Sequence, residues 1–195
     1  MSAEPAQDET IRAFISIHVA PALLDDLEKA QRRLGFDGVR WMRREQIHLT
    51  LKFLGDIPAS VLGDLEAAVK RACQGVKPLR LTLEGLGCFP NPRHPSVVWV
   101  GVGGDLAVLL DLQAAVEKET AVFAEKNENR EFHPHLTIGR VKSVPFRELA
   151  RLGGQIQAAQ VGALGEWTAQ EVHLMRSELL REGAKHTVLG SVRLE

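Results

Sequence analysis

Alternation of apolar and polar residues predicts several β-strands in this chain, and helical spacing predicts helices between them. Residues 12–19 and 47–54 alternate between apolar and polar side chains, which indicates strands with one buried face. Pro21 opens a stretch in which leucines recur at helical spacing, and Pro58 opens a second amphipathic stretch. The mixed order of strands and helices favours an α+β fold. The same rules predict strands near 79–86, 96–102, 135–141, 171–177 and 187–194, and helices after Asp105 and over 145–158.

The domain organisation is simple. No linker rich in Gly, Ser or Pro divides the chain, and no repeat of solenoid length is visible. The length of 195 residues suits one domain, or two small lobes that share a core. Because the N-terminus is acidic and polar, we predict a disordered tail over 1–10 and a single domain over 11–195.

Composition and charge narrow the class of protein. With 45% hydrophobic residues and a formal net charge of −1, the chain is not expected to be disordered. It has no run of 18 apolar residues and no secretory signal, so we expect no membrane association. Cys73 and Cys88 lack C-x-x-C or zinc spacing, which predicts reduced thiols in a cytoplasmic protein. The chain has 24 Lys and Arg against 25 Asp and Glu, and this balance argues against a protein that binds a long nucleic-acid backbone non-specifically. It does not exclude a protein that binds a single terminal phosphate in a local cleft.

The same His-x-Thr motif occurs on two predicted strands. His48 and Thr50 share one face of the first strand, and His135 and Thr137 share one face of the second. Imidazole titrates near neutral pH, so one histidine can accept a proton while the other donates one. Each threonine hydroxyl can donate a hydrogen bond to a phosphoryl oxygen. The paired motifs therefore predict general acid–base chemistry.

The residues alone leave alternatives to this interpretation. Two ordinary strands can carry His and Thr on their solvent faces by coincidence. A metal site through His133 and His135 is a second alternative, although Pro134 separates them and no carboxylate or cysteine cluster completes a ligand set. No P-loop and no nucleophile elbow is present, so neither nucleotide-triphosphate chemistry nor a covalent route is indicated.

The paired motifs and their context resemble the 2H phosphoesterase superfamily. More closely, they resemble the bacterial RNA 2′,3′-cyclic phosphodiesterases, also called 2′-5′ RNA ligase-like proteins. One departure is His186, which stands near the last strand where the family often has a tyrosine; the chain contains no tyrosine. The similarity covers nearly the whole chain after the tail and is carried by residues 12–17, Trp41, 47–56, 97–102, 132–140 and 174–179.

The resemblance implies an α+β fold of two pseudo-symmetric lobes, each an antiparallel sheet with helices packed outside, around a central cleft. It implies hydrolysis of the terminal 2′,3′-cyclic phosphate of RNA, or of a cyclic nucleotide, to a 2′-phosphomonoester. It also implies a weak 2′-5′ RNA ligase side activity, without metal or other cofactor. By the same resemblance His48 is the proton donor and His135 the proton acceptor, while Thr50 and Thr137 hold phosphoryl oxygens. A non-catalytic module that binds RNA ends in the same cleft is the alternative, and we expect a monomer.

Further residues near the motifs are candidates for substrate binding. Lys52 shares the predicted face of His48 and suits a phosphate. Arg140 lies five residues past His135, where alternation places it on the core side unless the strand end curls back. Loop arginines suit phosphate capture and aromatic rings suit base stacking; these candidates are Arg43, Arg130, Phe14, Trp41 and Phe132. Expected core residues include Leu51, Phe53, Trp99 and Trp167, and no role is assigned to His18, His94, His173 or His186.

Overall fold

The secondary structure alternates between strands and helices in a computed structural model that describes residues 9–125, 131–142, 144–181 and 183–195. The strands are β1 (Thr10–His18), β2 (Val39–Trp41), β3 (His48–Pro58), β4 (Leu79–Phe89), β5 (Val97–Gly104), β6 (His135–Val141), β7 (Gly165–Ala169), β8 (Glu171–Leu180) and β9 (Gly183–Arg193). The helices are α1 (Pro21–Leu34), α2 (Leu62–Ala72), α3 (Leu106–Glu119) and α4 (Phe146–Ala158).

The strands form one antiparallel sheet with two halves. One half has the order β7-β4-β5-β6 with β2 beside β6, and the other has the order β3-β1-β8-β9. The halves meet at a single register pair in the described part of the chain, Leu49 of β3 opposite Leu136 of β6. The two edges of the second half approach each other, since the Gln46 side chain before β3 donates to the Ala184 carbonyl in β9 at 2.7 Å. The predicted α+β fold with two lobes is confirmed, and the lobes are joined as one sheet.

The helices cover one face of this sheet and bury the core against it. Each helix contributes a fully buried side chain to the core: Leu27, Leu65, Leu109 and Ile156. The buried Gln31 of α1 also donates to two backbone carbonyls of the sheet half that contains β6. These contacts give the sheet a helix-covered face and an opposite face, which we call the open face.

The first and shortest elements differ from the sequence-based expectation. Thr10 begins β1, and the Glu9 carbonyl accepts a hydrogen bond from the Ala59 amide, so the chain is folded from residue 9. Residues 1–8 of the predicted tail lie outside the described residues. Neither β2 nor β7 is predicted, because runs of three and five residues are too short to show a reliable period. Within the described ranges, no helix has the length and apolar character needed to cross a membrane.

Candidate active site

The two His-x-Thr motifs lie side by side at the centre of the sheet. β3 and β6 are antiparallel, and their register pair joins the middle residues of the two motifs. His48 therefore lies across from Thr137, and Thr50 lies across from His135. The two histidines are diagonal neighbours, a relation in which residues are typically about 7–8 Å apart and their Cβ atoms somewhat closer. This spacing leaves room for a phosphoryl group with an imidazole on either side and a hydroxyl beside each.

Aromatic rings enclose His48 on the open face. Its ring stacks on Phe14 with centroids 4.7 Å apart, and the His186 ring meets it edge-on at 5.1 Å. Burial, with smaller contributions from the nearby imidazoles of His186 and His18, lowers the pKa of His48 to about 3. His48 alone is therefore neutral at pH 7. An anionic group in contact with it would favour the protonated form and raise this pKa.

His135 has a defined orientation. Its Nδ1 lies 2.6 Å from the His133 carbonyl oxygen, which can only accept a hydrogen bond. We therefore assign the proton of the neutral ring to Nδ1, which leaves the lone pair on Nε2. Burial lowers the pKa of His135, the hydrogen bond to the His133 carbonyl partly offsets that shift, and the His133 ring lowers it slightly. A neutral ring with Nε2 available suits a proton acceptor.

A β-bulge removes Lys52 from the open face. Against β1, Thr50 pairs with Ser16 and Lys52 pairs with Ile15, so Leu51 is an extra residue between the two pairs. The extra residue turns Lys52 toward the helix-covered face, where it is 3% exposed. The prediction that Lys52 shares the face of His48 is therefore wrong.

Lys52 instead joins β3 to α3. Its Nζ lies 2.9 Å from Glu117 Oε1 and donates to the Glu117 carbonyl oxygen at 3.0 Å. The same bulge brings Phe53 to the open face beside Phe14, and Phe53 is 65% exposed. The expectation that Phe53 is a core residue is also wrong.

The second motif has a bulge at the equivalent point. Against β5, Thr137 pairs with Trp99 and Arg140 pairs with Val97, so β6 holds one residue more than β5 between these pairs. The extra residue is Ile138, which stands three positions after the motif histidine, as Leu51 does in the first motif. Arg140 therefore lies on the open face and is exposed, whereas plain alternation predicts the core side.

Three aromatic candidates are not open to a nucleobase. Phe14 is 3% exposed and supports the His48 ring. Trp41 points to the helix-covered face, where it packs against Phe36 with ring centroids 6.1 Å apart. Phe132 is half-buried and packs against the core. Their predicted base-stacking role has no support from these positions.

The two loop arginines have different outcomes. Arg43 is exposed, and its guanidinium lies beside Gly183 at the end of the β8–β9 hairpin. The guanidinium therefore lies at the start of β9, three residues before His186 along that strand. Arg130 lies outside the described residues.

Trp99 and Phe89 form part of the site although Trp99 is expected in the core. Trp99 lies over Gly87, where a Cβ atom would collide with the indole. The centroids of the Trp99 and Phe89 rings are 5.2 Å apart. Both rings flank His135, whose ring centroid lies 6.2 Å from that of Trp99 and 4.9 Å from that of Phe89. The sequence does contain a signal for this position, because Val98, Val100 and Val102 alternate along β5 and their buried face lies opposite to Trp99.

His186 is a further site residue to which the sequence assigns no role. It pairs with Ser177 across the β8–β9 hairpin and reaches the rings of Phe14 and His48. Burial lowers its pKa, and its Nδ1 has no hydrogen-bond partner among the residues that the structure describes. The available signal is the resemblance, which places a tyrosine near this position.

A second pair of imidazoles lies on the open face of the β1–β8 region. His18 and His173 stack with ring centroids 3.9 Å apart, and His173 Nδ1 lies 2.9 Å from the Ser191 hydroxyl. Burial, helped by the His18 ring and opposed by Glu171, lowers the pKa of His173 to about 4. Burial also lowers the pKa of His18.

The alternative metal site gains no further ligands. Over the described ranges, no group of three or more His, Cys, Asp or Glu side chains is arranged to hold a metal ion. His133 is exposed with its Nε2 4.0 Å from Glu131, while Nδ1 of His135 faces a backbone carbonyl.

Comparison with known proteins agrees with the resemblance. The chain is 36% identical over 187 residues to an RNA 2′,3′-cyclic phosphodiesterase of Methanothermobacter thermautotrophicus, covering 94% of this chain and 99% of that protein. It is 31% identical over 185 residues to a protein of the same name from Thermus thermophilus, covering 92% and 88%.

Solved structures share the fold. The crystal structure of TT0787 from Thermus thermophilus superposes with a TM-score of 0.76 at 30% identity, covering 94% of this chain and 98% of that one. Escherichia coli LigT complexed with 3′-AMP gives a TM-score of 0.77 at 24% identity, covering 95% and 99%. A family model described as the 2′-5′ RNA ligase superfamily matches residues 19–180. The chain therefore belongs to the 2′-5′ RNA ligase superfamily.

Proposed function

We propose that this protein hydrolyses the terminal 2′,3′-cyclic phosphate of RNA to a 2′-phosphomonoester by metal-independent acid–base catalysis. The observation that carries the proposal is the register of β3 and β6, which sets two imidazoles diagonally across one gap with a threonine opposite each. The names of the related proteins support the choice of substrate.

The proposed reaction is a single in-line displacement. His135 Nε2 accepts a proton from water as the water oxygen attacks phosphorus. The P–O3′ bond breaks, and His48 gives its proton to the departing O3′, so the phosphate stays on O2′. The Thr50 and Thr137 hydroxyls donate hydrogen bonds to the non-bridging oxygens as negative charge builds. The assignment of donor and acceptor follows the resemblance and is supported by the Nδ1 contact of His135.

Because burial lowers the pKa of His48 to about 3, the proposed proton donor has to gain its proton when the anionic substrate binds. A cyclic phosphate carries one negative charge, which favours the imidazolium next to it. Substrate binding thus supplies the negative charge that favours the protonated form of His48.

The same bond changes account for a weak 2′-5′ RNA ligase activity. If an RNA 5′-hydroxyl replaces water as the nucleophile, breaking the P–O3′ bond leaves a 2′-5′ phosphodiester. The proposal includes this activity. It also holds that the protein is cytoplasmic, monomeric and free of cofactors. A non-catalytic module that binds RNA ends in the same cleft is the alternative.

The test uses an RNA oligonucleotide that ends in a 2′,3′-cyclic phosphate. We expect His48→Ala and His135→Ala each to lower kcat by about 10²–10⁴-fold, the usual contribution of a general acid or base. His94→Ala is the matched control, because His94 is exposed in a loop and stacks on Phe146 outside the site. Circular dichroism checks that each variant is folded, and the product is typed as a 2′- or 3′-phosphate.

Each alternative has its own outcome in this experiment. Full turnover in either histidine variant contradicts the acid–base pair. Loss of activity in excess chelator, restored by a divalent cation, supports a metal-dependent hydrolase. Tight binding of the oligonucleotide by the wild type without turnover supports the RNA-end binding module.

A further inference from the structure

We propose that Arg40 and Arg140 form a second anion site on the open face, which binds the phosphodiester one nucleotide before the cyclic phosphate. The inference rests on the proposed function and deepens it, because it makes an RNA end a better substrate than a cyclic mononucleotide. It assigns a binding role to Arg40, for which the sequence gives no indication.

The two arginines are direct cross-strand neighbours. Arg40 of β2 pairs with Arg140 of β6 in an antiparallel register, and both are exposed. Side chains in such a pair have Cβ atoms about 4.5–5.5 Å apart, and like charges at this spacing destabilise a sheet. Within the described part of the chain, no carboxylate lies within 4.0 Å of either guanidinium. An anion that bridges both side chains would relieve this repulsion.

Both side chains lie on the face that carries the motifs. In β2 the flanking Val39 and Trp41 pack toward the helix-covered core, which turns Arg40 to the open face. The bulge at Ile138 turns Arg140 to the same face. The site therefore exists only because β6 is bulged, since a regular strand would direct Arg140 into the core.

The distance from the motif fits one further nucleotide. Arg140 follows Thr137 by three residues, at most about 10 Å along a strand, and the bulge shortens this path. The cyclic phosphate closes on O2′ and O3′ of the last ribose, so the next phosphate of the chain is attached at O5′ of the same sugar. An anion held by this arginine pair is thus separated from the scissile phosphorus by a single ribose.

The chemistry of the pair suits a phosphodiester. Each guanidinium has five N–H donors in a planar fork and can bind two phosphate oxygens at once. Hydrogen bonds from a charged donor to a phosphate are about twice as strong as neutral ones. A chain with a net charge of −1 can hold such a site because the positive charge is local.

The test compares three substrates: a nucleoside 2′,3′-cyclic phosphate, a dinucleotide ending in that group, and the same dinucleotide with an uncharged methylphosphonate linkage. The measured quantity is kcat/KM for the dinucleotide divided by kcat/KM for the mononucleotide. We expect the wild-type ratio to be at least about tenfold, and Arg40→Ala to lower it about tenfold. The methylphosphonate should remove both the wild-type preference and the effect of Arg40→Ala.

The matched control is Arg33→Ala, which removes an exposed arginine from the last turn of α1 on the other side of the sheet. Its ratio should equal that of the wild type. Binding of the dinucleotide 2′-phosphate is measured in parallel, and Arg40→Ala should weaken it about tenfold whether or not the protein turns over substrate.

The outcomes separate this inference from the proposed function. A wild-type ratio near one, an equal loss of kcat/KM on all three substrates in Arg40→Ala, or unchanged binding of the 2′-phosphate overturns the second anion site while leaving the hydrolase intact. Absence of turnover on every cyclic phosphate by the wild type contradicts the proposed function, and the binding measurement then decides the anion site by itself.

Discussion

The buried contact of Lys52 gives a quantitative test of the β3 register. Its side chain is 1% exposed and makes two contacts to Glu117, at 2.9 Å to Oε1 and 3.0 Å to the carbonyl oxygen. Breaking a fully buried ion pair by removing one partner costs about 3–5 kcal/mol. The Glu117 side chain is 26% exposed and regains water when Lys52 is lost. We therefore expect Lys52→Met to lower the free energy of unfolding by about 2–3 kcal/mol.

The assay for this prediction combines urea unfolding with steady-state kinetics. Methionine keeps most of the volume, so the loss reports on charge and hydrogen bonding more than on a cavity. Activity should stay within about threefold of the wild type, because Lys52 points away from the open face. Adding Glu117→Gln should recover part of the stability, and Lys70→Met, at an exposed position of α2, should change it by less than about 0.5 kcal/mol.

One combination of results would contradict this placement of Lys52. If Lys52→Met lowered kcat/KM by a hundredfold and left the free energy of unfolding unchanged, Lys52 would be acting on the substrate. The bulge at Leu51 would then be misplaced, and Phe53 would belong in the core.

Two further predictions concern pH and packing. The pKa values of His48 and His173 are lowered to about 3 and about 4, so below pH 6.5 the unfolded chain binds more protons than the folded one. The contribution of these two rings to the free energy of unfolding is therefore complete above pH 6.5 and decreases as the pH falls. The decrease is at most about 1.4 kcal/mol per pH unit for each ring. Urea midpoints that stay constant or rise from pH 7.5 to 5.5 would contradict this prediction. Gly87→Ala places a Cβ against the Trp99 indole, so we expect a changed near-ultraviolet circular dichroism spectrum and about a tenfold lower kcat. Gly63→Ala, where a Cβ meets nothing within 4 Å, should leave both as in the wild type.

Sequence periodicity predicts the motif strands but not the residues that follow the motifs. His48 and His135 precede the bulges, so plain alternation places them correctly. Lys52 and Arg140 follow the bulges, and each lies on the face opposite to the one that alternation predicts. A bulge depends on pairing with a strand that is distant in sequence, and the local pattern does not contain that information.

The two tryptophans Trp99 and Trp41 also show where sequence periodicity predicts the face of a residue and where it does not. Trp99 stands in a long strand whose valines alternate, so its open-face position can be read from the sequence. Trp41 stands in a three-residue strand, too short for any period, and its face is set by pairing with Gly139 of β6. Arg40 is missed for the same reason, since only that pairing brings it to Arg140.

In the part of the chain that the structure describes, one register pair between β3 and β6 joins the two halves, whereas longer ladders connect the other neighbouring strands. Each half packs its own histidine against an aromatic ring, so the gap between the two imidazoles depends on how the halves are set at this joint. On the helix-covered side, Lys52 joins β3 to α3 three residues away from Leu49. For the proposed chemistry, a narrow gap admits water and a wider one admits a polynucleotide hydroxyl. Under the proposed mechanism, the choice of nucleophile then depends on the joint between the two halves as well as on the groups that touch phosphorus.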